Sequence, residues 1–533
     1  MPKQHKQPTS QSSFSFSVVA PSFAGNPNAA LIVAGIFGVV MLVINLSYHV
    51  IGDYNVETDF YWSYVHEARK MMAGEFPIED FRGPAYPVLL GGTSILIGDY
   101  FKAGVILSTL SAALTLFFVY RLLEKLFRPD TAFIGALLVA VNTTFIQYSY
   151  TAGTDMMFNA LVCATVFFLL KDEQRIWKSI ILSAVAAGVA YLTRYNGIFI
   201  VVAVPVVLVW VNPYRLSMKE RIATSAVYLG VFALVISPWG YYCLQERGSF
   251  FYNKNYLNIA YEMFAKGRMS WDQFWVVESQ RYTSLAQVVF SDVGAFIKTV
   301  LYNIVSHAGN DLGKLVGWYT GVFSIIGAAM FFSVSYEKRV VSYFVLALGF
   351  FAVLLLVFHG ERFSLFLLPA YVALALMGLS HPKLARWRVF GRMHAPQVIV
   401  AVLFLWTAGA SFVYNSKNID IGPKEVLELA DALKRSGVLP PPGAVIVTRK
   451  PHVAYYLGME MKLFPLVESF DSLKAEVYRA NASYLYFSTP EAILRRQFES
   501  LLNPVSPVPW LETVAYVNYP PSVLFKVLPD STR

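Results

Sequence analysis

Apolar residues run in long unbroken stretches over most of this chain, separated by short polar turns. The stretches fall at 29–49, 102–123, 131–150, 155–170, 179–193, 196–211, 222–243, 316–335, 340–358, 363–380 and 395–415. Most approach the ~20 residues that an α-helix needs to cross a hydrocarbon core of ~30 Å. Inside lipid, only helices and closed barrels satisfy their own backbone. The pattern predicts an α-helical polytopic membrane protein with about 11–13 spans. One further run, Pro84–Gly98, is too short, and it carries Gly91-Gly92. It reads as an interfacial or re-entrant helix that does not cross.

The polar segments orient the bundle. With a cytoplasmic N-terminus, the basic residues Arg121, Lys125 and Arg128, then Lys171, Arg175 and Lys178, then Arg215, Lys219 and Arg221, then Lys338 and Arg339, then Lys383, Arg386, Arg388 and Arg392 all fall in cytoplasmic turns. This is the positive-inside pattern. The opposite face then receives the first loop (50–87), the turn 148–155, the turn 193–196, the long loop 245–317 and the turn 359–362. Residues 1–28 are polar and rich in Gln, Ser and Pro, which predicts a disordered cytoplasmic tail. From 418 to 533 the long runs stop. Helix-like segments at 423–435, 472–479 and 490–502 alternate there with strand-like segments at 444–448, 484–487, 514–517 and 523–527. This predicts a small soluble α/β region beyond a membrane domain spanning 29–417.

Composition agrees with this division. Of 533 residues, 56% are hydrophobic and only 14% charged, against about 25% charged in soluble domains. The formal net charge of +9 does not point to nucleic acid, because the cations sit in the short loops that set orientation. Cys163 and Cys243 lie inside apolar runs, so neither a disulfide framework nor a thiolate metal site is indicated.

The first loop concentrates the chemistry. Gly52–Pro87 holds Asp53, Glu57, Asp59, His66, Glu67, Arg69, Lys70, Glu79, Asp80 and Arg82, and its middle (59–72) has an amphipathic helical pattern. Several of its residues, with others on the same face, resemble the polytopic GT-C glycosyltransferases, in particular glycosyltransferase family 39. That group includes protein O-mannosyltransferases and the aminoarabinose transferase that modifies lipid A. The resembling elements run in order: Thr58-Asp59-Phe60-Tyr61-Trp62; Arg82-Gly83-Pro84-Ala85-Tyr86-Pro87; Tyr120-Arg121; Thr154-Asp155; Leu192-Thr193-Arg194-Tyr195; and Glu361-Arg362-Phe363 with Leu368-Pro369. The chain departs from the family in having one proline at 84–85 and no Asp-Glu pair at 59–60, which leaves the acceptor open.

The resemblance implies an inverting enzyme that takes sugar from a polyprenyl-phosphate donor. The acceptor is a hydroxyl of a glycolipid, glycan or protein on the non-cytoplasmic face, in a bacterial inner membrane with the C-terminal region on the periplasmic side. Such transfer needs a base for the acceptor hydroxyl and a cation for the leaving phosphate. Asp59 is the candidate base, with a helix cap as its alternative role and Asp53 and Glu57 as rivals. Asp155 is a second carboxylate, either an N-cap or a group that orients acceptor or shares a divalent cation (Mg or Mn) with Asp59. Arg82, Arg194 and Arg362 are phosphate candidates, or interfacial anchors. Tyr61, Tyr86 and His359 are candidate substrate contacts; Glu67, Glu79 and Asp80 read as a solvated face. Two other readings compete. A secondary transporter or flippase predicts ionisable groups inside the spans, and a non-catalytic assembly factor predicts that Asp59 is dispensable.

Overall fold

The computed structural model describes residues 21–171, 174–389, 391, 393–505 and 508–529. The tail expected at 1–28 lies outside these residues up to position 20. Each of the eleven apolar runs is helical. In chain order the helices are α1 (Ala29–Tyr48), α2 (Val65–Met72), α3 (Ala85–Ile97), α4 (Tyr100–Leu126), α5 (Pro129–Ala140), α6 (Thr143–Tyr150), α7 (Asp155–Lys171), α8 (Ile176–Thr193), α9 (Phe199–Val206) and α10 (Met218–Arg247). There follow α11 (Tyr256–Ala260), α12 (Trp271–Val277), α13 (Leu285–Ser291), α14 (Val293–Asn310), α15 (Trp318–Ser333), α16 (Lys338–Leu354), α17 (Leu368–Leu379), the single turn α18 (Pro382–Ala385) and α19 (Ala395–Asn418).

Among the described residues, five helices (α1, α4, α8, α10 and α19) are each long and apolar enough to cross a membrane, and seven spans result if each of two bent pairs is one. The protein is an integral membrane protein. Helix α3, with 13 residues, is about 20 Å long at 1.5 Å per residue, short of a ~30 Å core. It ends at Gly98, and Asp99 caps α4 by accepting from the Lys102 amide at 2.8 Å.

Two stretches differ from the sequence expectation. The run 131–150 is not one straight span: α5 and α6 meet at 63°, because Asn142 stops the first and caps the second, its Oδ1 accepting from the Phe145 amide at 3.1 Å. The long loop 245–317 is mostly helical, and α14 alone has 18 residues. Its polar Asn303 and His307, both buried, break the apolar run that marks the other helices.

Helix α4 lies at the centre of the bundle, packed against α1, α5 and α7, while α15 lies along α17. The α15–α17 contact is close because Gly327 faces the Leu374 carbonyl with no room for a Cβ, the small-residue device of membrane helix pairs.

The C-terminal region forms a five-stranded sheet of β3 (Val445–Thr448), β4 (Glu460–Leu463), β5 (Tyr484–Ser488), β6 (Leu511–Asn518) and β7 (Pro521–Val527) in the order β4-β3-β5-β7-β6; β1 (Arg388–Val389) and β2 (Met393–His394) make a separate hairpin. Strand β3 is parallel to β4 and β5, and β7 is antiparallel to β5 and β6. Alternation along the strands divides the sheet into two faces. Val447, Leu485, Phe487, Val523 and Phe525 pack against α22 (Phe470–Arg479) and Phe498. Ile446, Tyr486 and Leu524 pack against α20 (Lys424–Ser436) and α21 (His452–Leu457). Two of these elements, β4 and α21, were not expected from sequence. Strand β4 is a largely exposed edge without alternation, and α21 is only six residues long.

The second sheet face also takes in Ile51 of the first loop. Around Ile51, the His49 Nδ1–H donates to the Ile419 carbonyl at 2.7 Å, and the Tyr54 hydroxyl donates to Glu425 at 3.3 Å. Lys450 Nζ donates to Thr58 Oγ1 at 2.9 Å and to the Tyr54 carbonyl. The first loop is therefore held between the bundle and the sheet.

Candidate functional site

Asp59 begins a π-helical turn (Phe60–Tyr64) that runs directly into α2. Its side chain makes no capping bond. Instead Oδ2 accepts from Arg82 Nη2 at 2.9 Å, with the carboxylate 52% exposed and the guanidinium 19%. The rival acids are occupied. Glu57 is fully buried: it accepts from the Ala152 amide at 2.6 Å and the Asp53 amide at 3.0 Å, and it faces His49 Nε2 at 3.1 Å. Asp53 Oδ1 accepts from the Asn55 and Val56 amides, each at 2.6 Å, and so closes its own turn.

Arg82 is fixed from three sides. Its Cζ lies 4.6 Å from the Tyr64 ring centroid, Nη1 donates to Ser63 Oγ at 3.3 Å, and Nη2 holds Asp59. Burial would lower its pKa, but Tyr64, Asp59, Glu79 and Glu67 raise it further, so it stays charged. The next residue explains the position. A Cβ on Gly83 would lie 2.1 Å from the Leu192 carbonyl oxygen, so only glycine lets this element rest on the end of α8, two residues from Arg194.

Arg194 forms the second ion pair. Its Nη1 donates to Asp155 Oδ1 at 2.5 Å and to Thr154 Oγ1 at 3.1 Å, and Thr154 also meets the Tyr64 hydroxyl at 3.2 Å. A continuous polar chain thus runs Asp59, Arg82, Tyr64, Thr154, Arg194, Asp155. Two cations lie near the Phe363 ring, Arg362 Cζ 4.6 Å and Arg194 Cζ 5.4 Å from its centroid. Burial would push the Arg362 guanidinium down in pKa, but Asp155, Tyr148 and Asp59 outweigh it and the net shift is upward. Asp155, Arg194 and Arg362 line one cavity, with Phe158, Asn159, Asn196, Phe350 and Phe366 among its walls.

The structure therefore brings Asp59, Arg82, Asp155, Arg194 and Arg362 together from four separate parts of the chain, the first loop supplying both Asp59 and Arg82. It places the other candidates elsewhere. Tyr61 is buried on the sheet side, its hydroxyl 3.2 Å from the Tyr456 hydroxyl and its ring 4.3 Å from that of His452. Tyr86 is fully buried beneath Tyr64, ring centroids 5.0 Å apart. His359 Nε2 is 2.9 Å from Asp311 Oδ1, and Asp311 also accepts from the Tyr371 hydroxyl at 3.1 Å. His359 thus ties down the Arg362 loop and does not face the cavity. The expected solvated face is not one either. Glu67 is buried and accepts from Ser63. Glu79 accepts from the Phe81 amide at 2.6 Å. Asp80 accepts from Lys254 and Tyr252, each at 2.8 Å, and so joins the first loop to the segment after α10.

The two carboxylates expected to share a divalent cation both have protein partners. Asp59 and Asp155 are each taken by a guanidinium. Among the described residues no three His, Cys, Asp or Glu side chains are grouped to hold a metal. Residues that the sequence reading passed over include Ser63, Asn159, Asn196 and Asp311. Only Asn159 had a local signal, one helical turn after Asp155 on the same face.

Residues 82–242 match the family model described as dolichyl-phosphate-mannose-protein mannosyltransferase. No curated protein sequence matches the chain. Among solved structures, the chain is similar to ArnT from Cupriavidus metallidurans bound to undecaprenyl phosphate, at 13% identity and a TM-score of 0.57, with 95% of this chain and 99% of that one covered. It is also similar to the oligosaccharyltransferase AglB from Archaeoglobus fulgidus, in complex with an inhibitory peptide and a dolichol-phosphate, at 13% identity and a TM-score of 0.54, covering 86% of this chain and 69% of that one. The fold is that of the GT-C glycosyltransferases.

Proposed function

We propose that this GT-C chain is a glycosyltransferase. It moves a sugar from a polyprenyl-phosphate donor to a hydroxyl of a glycolipid, glycan or protein, at the membrane face that carries the first loop, periplasmic in a bacterial inner membrane. The observation that carries the reading is the Asp59–Arg82 pair, a half-exposed carboxylate held by a mostly covered cation, together with the Asp155–Arg194 pair and Arg362. The lipids named with the similar ArnT and AglB structures, undecaprenyl phosphate and dolichol-phosphate, support the donor class.

The chemistry follows from the charges. A donor phosphate is a stronger partner for Arg82 than a single exposed carboxylate, because it offers more oxygens to the guanidinium fork. Its arrival displaces Asp59 and frees that carboxylate to accept a proton. Asp59 takes the proton of the acceptor hydroxyl. The hydroxyl oxygen attacks the anomeric carbon from the side opposite the phosphate. The bond from that carbon to the phosphate oxygen breaks, and its electron pair stays on the phosphate, next to Arg82 and Arg194. One displacement inverts the anomeric centre and needs no covalent sugar. Thr154 and Tyr64 hold the two cations in register, so the charge on the leaving group meets donors already in place.

A transporter reading predicts ionisable groups within the spans; here the ion pairs gather on the first loop and the ends of α7 and α8. The test is transfer in proteoliposomes of labelled sugar from a polyprenyl-phosphate donor, with a nucleotide-sugar donor alongside. Transfer from the lipid donor alone supports the reading. Transfer from neither, together with movement of the lipid across the bilayer, overturns it.

A further inference from the structure

The cavity behind Arg194 holds two polar atoms that find no partner among the described residues: Asn159 Nδ2 and Asn196 Oδ1. Asn159 is 2% exposed, so bulk solvent does not reach it. It stands one turn after Asp155 on α7, so both side chains leave the helix on the same face. Cys163 Sγ donates to Asn159 Oδ1 at 3.9 Å, which occupies the accepting side of that amide and leaves its NH₂ group turned the other way. Asn196 follows Arg194 by two residues in the turn after α8. A buried amide without a partner is costly. Two around one cavity, beside two guanidinium groups, mark a place completed by a ligand.

The pair also says what kind of group completes it. Asn159 offers a donor and Asn196 an acceptor. A phosphate oxygen accepts only and satisfies half of the pair. An ammonium donates only and meets the charges of Arg194 and Arg362. A hydroxyl both accepts and donates and satisfies both amides. We propose that Asn159 and Asn196 read a ring hydroxyl of the donor sugar, whose apolar ring edges lie against the Phe158, Phe350 and Phe366 walls, while the phosphate stays with the arginines. This rests on the transferase reading and adds to it the residues that select for the sugar.

The test separates the two. Full-length protein in detergent is titrated with bare undecaprenyl phosphate and with undecaprenyl phosphate carrying mannose, glucose or 4-amino-arabinose, for wild type, Asn159→Ala, Asn159→Ser and Asn196→Ala. Wild type is expected to bind its best glycosylated lipid more tightly than the bare lipid. Each variant is expected to weaken that glycosylated lipid about tenfold or more, leaving the bare lipid within twofold, which also shows that the variant is folded. If wild type gains nothing from any of the sugars, or if the variants weaken both lipids equally or neither, the amide assignment is overturned and the transferase reading stands or falls on transfer itself. If wild type binds none of the lipids, the transferase reading fails and this inference with it.

Discussion

Arg82 Nη2 and Asp59 Oδ2 stand 2.9 Å apart across the first loop, and among the described residues no other group bonds the Asp59 carboxylate. In the proposed reaction the arginine changes partner when the donor phosphate arrives. A lysine would keep the charge but lose the fork that touches Ser63 and Asp59 at once. Arg82→Ala is expected to lower kcat/KM by about 10²-fold or more, and Arg82→Lys by roughly a tenth of that, in initial rates of labelled-sugar transfer. Equal rates for the two variants would mean that charge alone matters at this position.

Arg362 stacks on Phe363, and Arg194 also lies near that ring. It has no carboxylate within bonding distance among the ion pairs of the described residues, so its charge is free to meet the ligand. Arg362→Ala is expected to weaken binding of bare polyprenyl phosphate by about tenfold and to flatten its dependence on ionic strength. Titrations at low and high salt measure both effects.

Asp311 holds His359 before Arg362 and Tyr371 after it, which fixes both ends of the loop that carries the cation. Its role is positioning. Asp311→Asn is expected to raise KM for the donor by roughly tenfold in the wild-type background and by little in the Arg362→Ala background, since residues acting through one another are not additive. Full additivity in that double-mutant cycle would show a purely structural role.

His49 donates from Nδ1 to the Ile419 carbonyl while Nε2 faces Glu57. Burial lowers its pKa, but Glu57 and the carbonyl outweigh burial, and the net pKa is above the ordinary 6.5. A folded-state pKa above the unfolded one stabilises fully below the unfolded value and is lost as pH rises through the folded one. His49→Gln is therefore expected to lower Tm by a few degrees below about pH 6.5, and by progressively less as pH rises beyond it. A gap that widens with pH would contradict the assignment.

How much of this was legible in the sequence depends on the range of the interaction. Helix positions were readable because apolar runs are local, and α5–α6 failed only where a buried asparagine capped a new helix inside one run. Asp59, Arg82, Asp155, Arg194 and Arg362 were readable as an ordered set of charges on one face. The partners were not. Whether Glu57 or Asp59 is the available carboxylate depends on an amide 95 residues away, at Ala152, and Tyr61 faces the sheet because Tyr456 and His452 arrive from the far end of the chain. A π-helical turn at Phe60–Tyr64 shifts the face on which each of these residues emerges, which a 3.6-residue period misassigns.

The central claim is that Asp59 accepts the proton of the acceptor hydroxyl. Asp59→Asn keeps the size of the side chain and removes only its basicity and charge. Labelled-sugar transfer from a polyprenyl-phosphate donor in proteoliposomes, at matched protein levels and with donor binding measured in parallel, is expected to fall by about 10²–10⁴-fold while the donor binds at least as tightly as to wild type. Wild-type transfer by Asp59→Asn would contradict the account.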